Sequence, residues 1–236
     1  MFKTLKRTFA KKLSPEAQRL AMLADPTWSF GIRQYLSTPL PALTAAFNSL
    51  QFLALDFETT GVDPQEDRIL SIGLVPMSLA QIEIAEAQEV FIAHGQYIKA
   101  DSARVNQITP QMLDGGLPLE EGISLLFQAL SGKVLLVHGA CIERNFIDAY
   151  FKQYLGIEHC PLYIIDTLAI EKKLSYSGRT GAHKSFQLND LRRHYGLPDY
   201  VSHSAASDAF ACAELFMVQC KKLNIAATTS LRDLHL

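Results

Sequence analysis

Apolar positions recur along this chain with two different periods, and the switch between them divides it. Near the start, Phe2, Leu5, Phe9 and Leu13 recur at helical spacing among Lys3, Lys6, Arg7, Lys11 and Lys12. This pattern predicts an amphipathic helix packed on the rest of the protein. A nucleic-acid or anionic-lipid contact is a second reading of its basic face. Ser14-Pro15 opens another helix, with serine as cap and proline in the first turn. That helix is expected to end near Asp25-Pro26. Trp28, Phe30 and Tyr35 read as docking anchors, and Pro39 and Pro41 lead into the main domain.

From Phe52 the runs become short and strand-like. Strands are expected over residues 51–57, 68–77 and 89–98, and their short connections make an antiparallel meander. Helices and buried strands then alternate. A short helix is expected at 109–113, followed by a longer one at 119–130 with Leu119, Ile123, Leu126, Phe127 and Leu130 on one face. A strand at 133–137, a helix at 142–154, a strand at 162–166 and a helix at 167–174 follow. After a Gly/Ser-containing loop at 175–185, two more helices are expected at 186–195 and 204–223. Strands first in a meander, then alternating with helices, define an α/β fold with a mixed sheet flanked by helices. The chain thus reads as a helical extension over 1–50, a main domain over 51–224 and a tail over 225–236.

Composition narrows the setting. Of 236 residues, 48% are hydrophobic and 19% charged, which implies a packed core rather than disorder. A net charge of −2 argues against a broad duplex-DNA footprint, though not against a substrate gripped by one end. Cys141, Cys160, Cys212 and Cys220 form no Cys-x-x-Cys pair, so reduced thiols and a cytoplasmic location are expected. No apolar run is long enough for a membrane span, and no secretory signal is read at the N-terminus.

The chemistry concentrates where the first strand ends. In Phe52-Leu-Ala-Leu-Asp56-Phe-Glu58-Thr-Thr-Gly61, residues two apart on a strand share a face, so Asp56 and Glu58 project into one small volume. Like charges held that close favour either a retained proton or a hard divalent cation between them. Two other segments place acid and histidine beside buried elements: His138 to Ile147, with Glu143 near a helix start, and His203 to Asp208 before the last helix. Phe146 and Ile147 are expected to face the core, leaving Glu143 aimed away from that packing face. His138 reads as a structural residue that orders the turn before Glu143.

These segments resemble, in order and with their flanks, the motifs of the DnaQ-like, DEDD-type 3′–5′ exonucleases of the histidine subclass. Asp56-Phe-Glu58-Thr59-Thr60-Gly61 matches the opening motif, and His203 to Asp208 matches the His-x-x-x-x-Asp motif. Asp67 to Gly73, Ile108 to Leu113 and Asp166 to Leu168 match the flanks. The resemblance spans residues 52–216, and the helical lead-in is similar to that of a bacterial stand-alone subgroup. One motif departs, with Glu143 where aspartate is usual and Gly139 where asparagine is usual. Asp148, the acid considered as a substitute, lies off the aligned face, and Glu143 is retained as the ligand.

The resemblance implies a ribonuclease H-like fold and two Mg²⁺ or Mn²⁺ ions on Asp56, Glu58, Glu143 and Asp208. It also implies His203 as general base and a nucleic acid 3′ end as partner, most simply single-stranded or frayed DNA. Thr59, Thr60, Gly61 and Val62 follow the carboxylates and, with His138, are expected at the terminal nucleotide. Lys172, Lys173, Arg179, His183 and Lys184 read as a phosphate-tracking loop, with Lys173 and Lys184 its candidate contacts. Three alternatives remain open at this point: an exoribonuclease, a catalytically impaired regulator, and a polymerase-bound proofreading subunit. No long C-terminal tether favours the last.

Overall fold

The computed structural model describes residues 14–25, 27–98, 107–181, 183–200, 204–224 and 229–234. The basic helix expected at the N-terminus and His203 lie outside the described residues. Five strands form one sheet: β1 (Phe52–Thr59), β2 (Ile69–Met77), β3 (Gln88–Phe91), β4 (Val134–Val137) and β5 (Ile164–Asp166). Their order is β3-β2-β1-β4-β5. The β3-β2-β1 part is an antiparallel meander, as expected, while β4 and β5 run parallel to β1. The helices are α1 (Pro15–Leu23), α2 (Phe30–Ser37), α3 (Pro110–Leu113), α4 (Leu119–Leu130), α5 (Cys141–Leu155), α6 (Thr167–Tyr176), α7 (Leu188–His194) and α8 (Ala205–Lys222). No helix among the described residues is long and apolar enough to cross a membrane.

Strand alternation sorts the core into two layers. On one side Leu53, Leu55, Phe57, Ile72, Leu74, Leu135 and Val137 pack against α4, α5 and the N-terminal helices. On the other, Phe52, Ala54, Val75, Val134, Leu136 and Ile165 meet Ala209, Cys212, Ala213 and Phe216 of α8. Because both faces are covered, β1 reads as a continuous apolar run rather than an alternating one. Asp56 and Glu58 continue the 52, 54 series, so they fall on the α8 side.

The N-terminal helices belong to the first layer. The Ser14 hydroxyl caps α1 by accepting from the Ala17 N–H at 3.3 Å. Trp28 and Tyr35 are buried anchors, and the Tyr35 hydroxyl donates to the Pro161 carbonyl at 2.6 Å. Phe30 is not an anchor: it is 71% exposed, because it opens α2 on the face turned away from α4. The C-terminal segment packs on the second layer, where the Phe47 N–H donates to the Thr229 carbonyl at 2.7 Å and the Arg232 N–H to the Leu43 carbonyl at 3.0 Å.

Two of the boundaries that differ from expectation have a clear physical reason. The third strand stops at Phe91 instead of running to 98, since the chain bridges to Leu117 at Ile92 and then tightens into a 3₁₀ turn at Gly95–Tyr97. Helix α6 runs on to Tyr176, two residues into the expected loop, because Leu174 and Glu171 are fully buried and hold its last turn.

Candidate active site

Asp56, Glu58 and Asp208 converge. Ligand oxygens of the three lie within 4.8 Å of one another, where the end of β1 meets the first turns of α8. Small residues on α8 permit this approach, and Ala205, Ala209 and Ala213 are fully buried against the sheet. Burial pushes the Asp56 carboxyl well above the usual carboxylate range, and Glu143, Glu58, Asp208 and Glu89 add to the shift. Glu58 is pushed up to about 7, first by burial and then by Asp208 and Glu89.

Glu143 arrives from the opposite layer. Phe146 and Ile147 of α5 are buried in the first core, as expected, and Glu143 is buried as well. It is 4% exposed, in the first turn of α5 over the end of the sheet. It is the largest charged influence on Asp56, although it stands outside the group of three. Burial pushes it up to about 8; backbone N–H groups of Glu143 and Phe57 oppose the shift, and Asp166 adds to it. Its Oε2 is buried without a hydrogen-bond partner.

The departure at Gly139 has a backbone reason. Its φ is +88°, a left-handed conformation that glycine adopts freely and asparagine tolerates better than most residues. The turn is fixed by Asp166, whose carboxylate accepts from Gly139 N–H at 2.8 Å and Ala140 N–H at 3.2 Å. The same carboxylate caps α6 through the Leu168 N–H at 2.9 Å. In the sequence Asp166 stands out only as a motif flank. Its position directly before a helix start was the available signal. Asp148 is engaged elsewhere, with Arg144, His159 and the Cys160 N–H, so the acids that actually neighbour the site are Asp166 and Glu89.

The remaining candidates separate. The Thr59 hydroxyl donates to the Gly61 carbonyl at 2.6 Å, and the Thr60 hydroxyl to Asp67 at 3.0 Å, so both side chains are occupied in building the turn. A Cβ on Gly61 would stand 2.4 Å from the Asp67 carboxylate, which accounts for glycine there. Val62, next in the chain, is 70% exposed. His138 is structural: its ring nitrogens contact the Thr167 hydroxyl at 2.8 Å and the Phe186 carbonyl at 3.0 Å. Burial lowers its proton affinity.

Lys172, Lys173, Arg179 and Lys184 are exposed, but His183 does not share their surface. Its side chain is 3% exposed and bonds the fully buried Glu171 at 2.8 Å. Tyr195 and Gln219 also donate to Glu171.

A hard divalent cation fits this donor set. The three clustered acids offer oxygen ligands, Asp56, Glu58 and Glu143 resist ionisation in the bare site, and a buried Glu143 oxygen lacks a partner.

Comparison with known proteins agrees with the geometry. The family model for exonucleases of the RNase T type matches residues 53–216. The DNA polymerase III subunit epsilon of Treponema pallidum (strain Nichols) is 31% identical over 176 residues, covering 73% of this chain and 77% of that protein. A PolC-type DNA polymerase III of Thermotoga petrophila is 28% identical over 214 residues, covering 87% of this chain; the chain spans only 15% of that polymerase's length. Among solved structures, the nuclease domain of 3′hExo, a DEDDh family member, bound to rAMP, superposes with a TM-score of 0.60 at 14% identity. The superposition covers 72% of this chain and 92% of that one, and shows a shared ribonuclease H-like fold. The chain belongs to this exonuclease family.

Proposed function

We propose that the protein removes nucleotides one at a time from the 3′ end of single-stranded or frayed DNA, releasing nucleoside 5′-monophosphates. The convergence of Asp56, Glu58 and Asp208, with buried Glu143 beside Asp56, carries this reading. Two magnesium or manganese ions held by these four residues would neutralise charge on the scissile phosphate and acidify water. The four carboxylates would bind and orient these ions. His203 takes a proton from the attacking water at a ring nitrogen, in the role its motif implies. The water oxygen then bonds to phosphorus as the bond to the 3′ oxygen breaks. The freed 3′ oxygen takes up a proton and becomes the new chain end. Thr59, Thr60 and Gly61 offer backbone to the terminal nucleotide, with Val62 exposed beside them.

DNA is favoured over RNA by the polymerase III epsilon relative, in which a comparable exonuclease segment makes up most of the protein. Association with a polymerase is suggested by the same name. A cytoplasmic setting suits its four free cysteines.

The test is a panel of DNA and RNA oligonucleotides with Mg²⁺ or Mn²⁺, run beside Asp56→Ala and His203→Ala. DNA cleavage from the 3′ end, lost in both variants, is expected. RNA cleavage alone would reassign the substrate, and wild-type activity in Asp56→Ala would end the metal-dependent reading. A protein that binds no Mn²⁺ in calorimetry and releases no nucleotide from any oligonucleotide would favour a regulator.

A further inference from the structure

Glu89 lies on the edge strand β3 and belongs to none of the motifs. Sheet register nevertheless puts it in line with the site. Asp56 pairs with Gly73 across β1 and β2, and Gly73 pairs with Glu89 across β2 and β3. Residues paired across strands share a face, so two acids flank a position that has no side chain. The start of α8 occupies that gap. A Cβ on Gly73 would stand 2.0 Å from the Ala205 carbonyl carbon and 2.1 Å from its oxygen.

Glu89 then holds the helix from the far side. Its Oε2 accepts from the Ser204 hydroxyl at 2.6 Å, and its Oε1 from the Ala205 N–H at 3.2 Å. The Ser71 hydroxyl on β2 braces Oε1 at 3.1 Å. Ser204 is itself the N-cap of α8, accepting from the Ser207 N–H at 3.4 Å. A carboxylate at a helix N-terminus is stabilised there by the exposed N–H groups. Asp208 follows three residues after Ala205, and His203 directly precedes Ser204.

We infer that Glu89 is a positioning residue of this exonuclease: by hydrogen-bonding the start of α8, it sets where Asp208 stands against Asp56 and Glu58. The inference rests on the function proposed above. Glu89 acts through the helix rather than as a ligand, because both its oxygens are engaged by Ser71, Ser204 and Ala205, and it stands outside the group of three acids. Its charge also contributes to the raised proton affinity of Asp56 and Glu58.

The experiment compares wild type, Glu89→Ala, Glu89→Gln and Ser204→Ala. Two readouts are followed: deuterium exchange in the metal-free protein, and kcat, oligonucleotide KM and half-saturating Mn²⁺ in the loaded one. Glu89→Ala is expected to speed exchange at the amides of residues 205–209, leaving the rest of α8 unchanged. It should lower kcat by ~10-fold or more, raise the half-saturating Mn²⁺ and leave oligonucleotide KM within about 3-fold. Glu89→Gln keeps an acceptor for Ala205 and should restore both readouts. Ser204→Ala removes one donor and should give the same changes at smaller size, which preserves the test if Glu89→Ala does not fold. Wild-type exchange and wild-type kcat in Glu89→Ala would overturn the inference, as would Glu89→Gln behaving like Glu89→Ala. A wild-type protein without nuclease activity or Mn²⁺ binding would instead overturn the proposed function, and the exchange comparison would still judge Glu89.

Discussion

Glu143 concentrates the chemistry of this site in one residue. It is one methylene longer than the aspartate usual at its position, and it starts from the layer opposite to α8. The longer reach suits a carboxylate that must cross the end of the sheet. Glu143→Asp should therefore lower kcat by ~10-fold, measured on a 3′-labelled oligonucleotide. Unchanged kcat would mean that the helix start adjusts to either length.

Burial without a counter-charge also sets a pH dependence. In the bare protein Glu58 and Glu143 titrate at about 7 and about 8, against an ordinary 4.5. Between 4.5 and about 8 the folded state thus holds more protons than the unfolded chain. Their contribution to stability is complete below 4.5 and falls as pH rises through that window. Melting in EDTA should show Tm declining between about pH 5 and pH 8, with saturating Mn²⁺ flattening the decline. Glu143→Gln should raise the EDTA Tm near pH 8 and shrink the Mn²⁺ response. A metal-free Tm that stays level with pH would remove this account.

At the scale of elements, legibility followed the range of the determining contacts. Helix α4 was read to its ends because Leu119, Ile123, Leu126 and Phe127 mark one face and Gly132 follows its last turn. The meander and the Asp56, Glu58 and Asp208 positions were legible for the same reason, since local period and motif spacing carry them. Phe30 was misread because composition marks an aromatic as an anchor, while only the docked orientation of α2 decides which face it takes. The direction of Glu143 was legible from its own helix, which points it away from the first core, but its burial was not, since only the neighbouring layer encloses it. Glu89 left no trace, since its role depends on a register that no single segment encodes.

The packing of α2 on α4 offers a test at this scale. A Cβ on Gly31 would stand 1.7 Å from the Ser124 carbonyl oxygen, and that backbone cannot yield without parting the helices. Gly31→Ala should cost about 1–3 kcal/mol in urea unfolding and leave kcat within about 2-fold, since Asp56, Glu58 and Asp208 gather on the other side of the sheet. An unchanged unfolding midpoint would show that the N-terminal helices are only loosely attached.

For the whole molecule, the question is how a chain of net charge −2 holds a polyanion. Its active end is acidic until cations bind, so protein attraction for the strand must come from elsewhere. The exposed Lys173 and Lys184 frame the segment that leads from α6 to α7. The part of that segment nearer α7 is pinned twice: His183 is bound to Glu171 in the interior, and the Phe186 carbonyl bonds His138, five residues before Glu143 in the chain. A loop anchored this way presents its lysines at a fixed place relative to the site, so removing them should weaken capture without disturbing the chemistry. Lys173→Ala combined with Lys184→Ala should raise oligonucleotide KM by ~5-fold at low salt and leave kcat unchanged. If each lysine neutralises one phosphate, the dependence of log KM on log salt should become shallower by about 1.4, because single strands contribute ~0.7 for each contact. A double variant with the wild-type salt slope would place the phosphate contacts on another surface, even if its KM had risen.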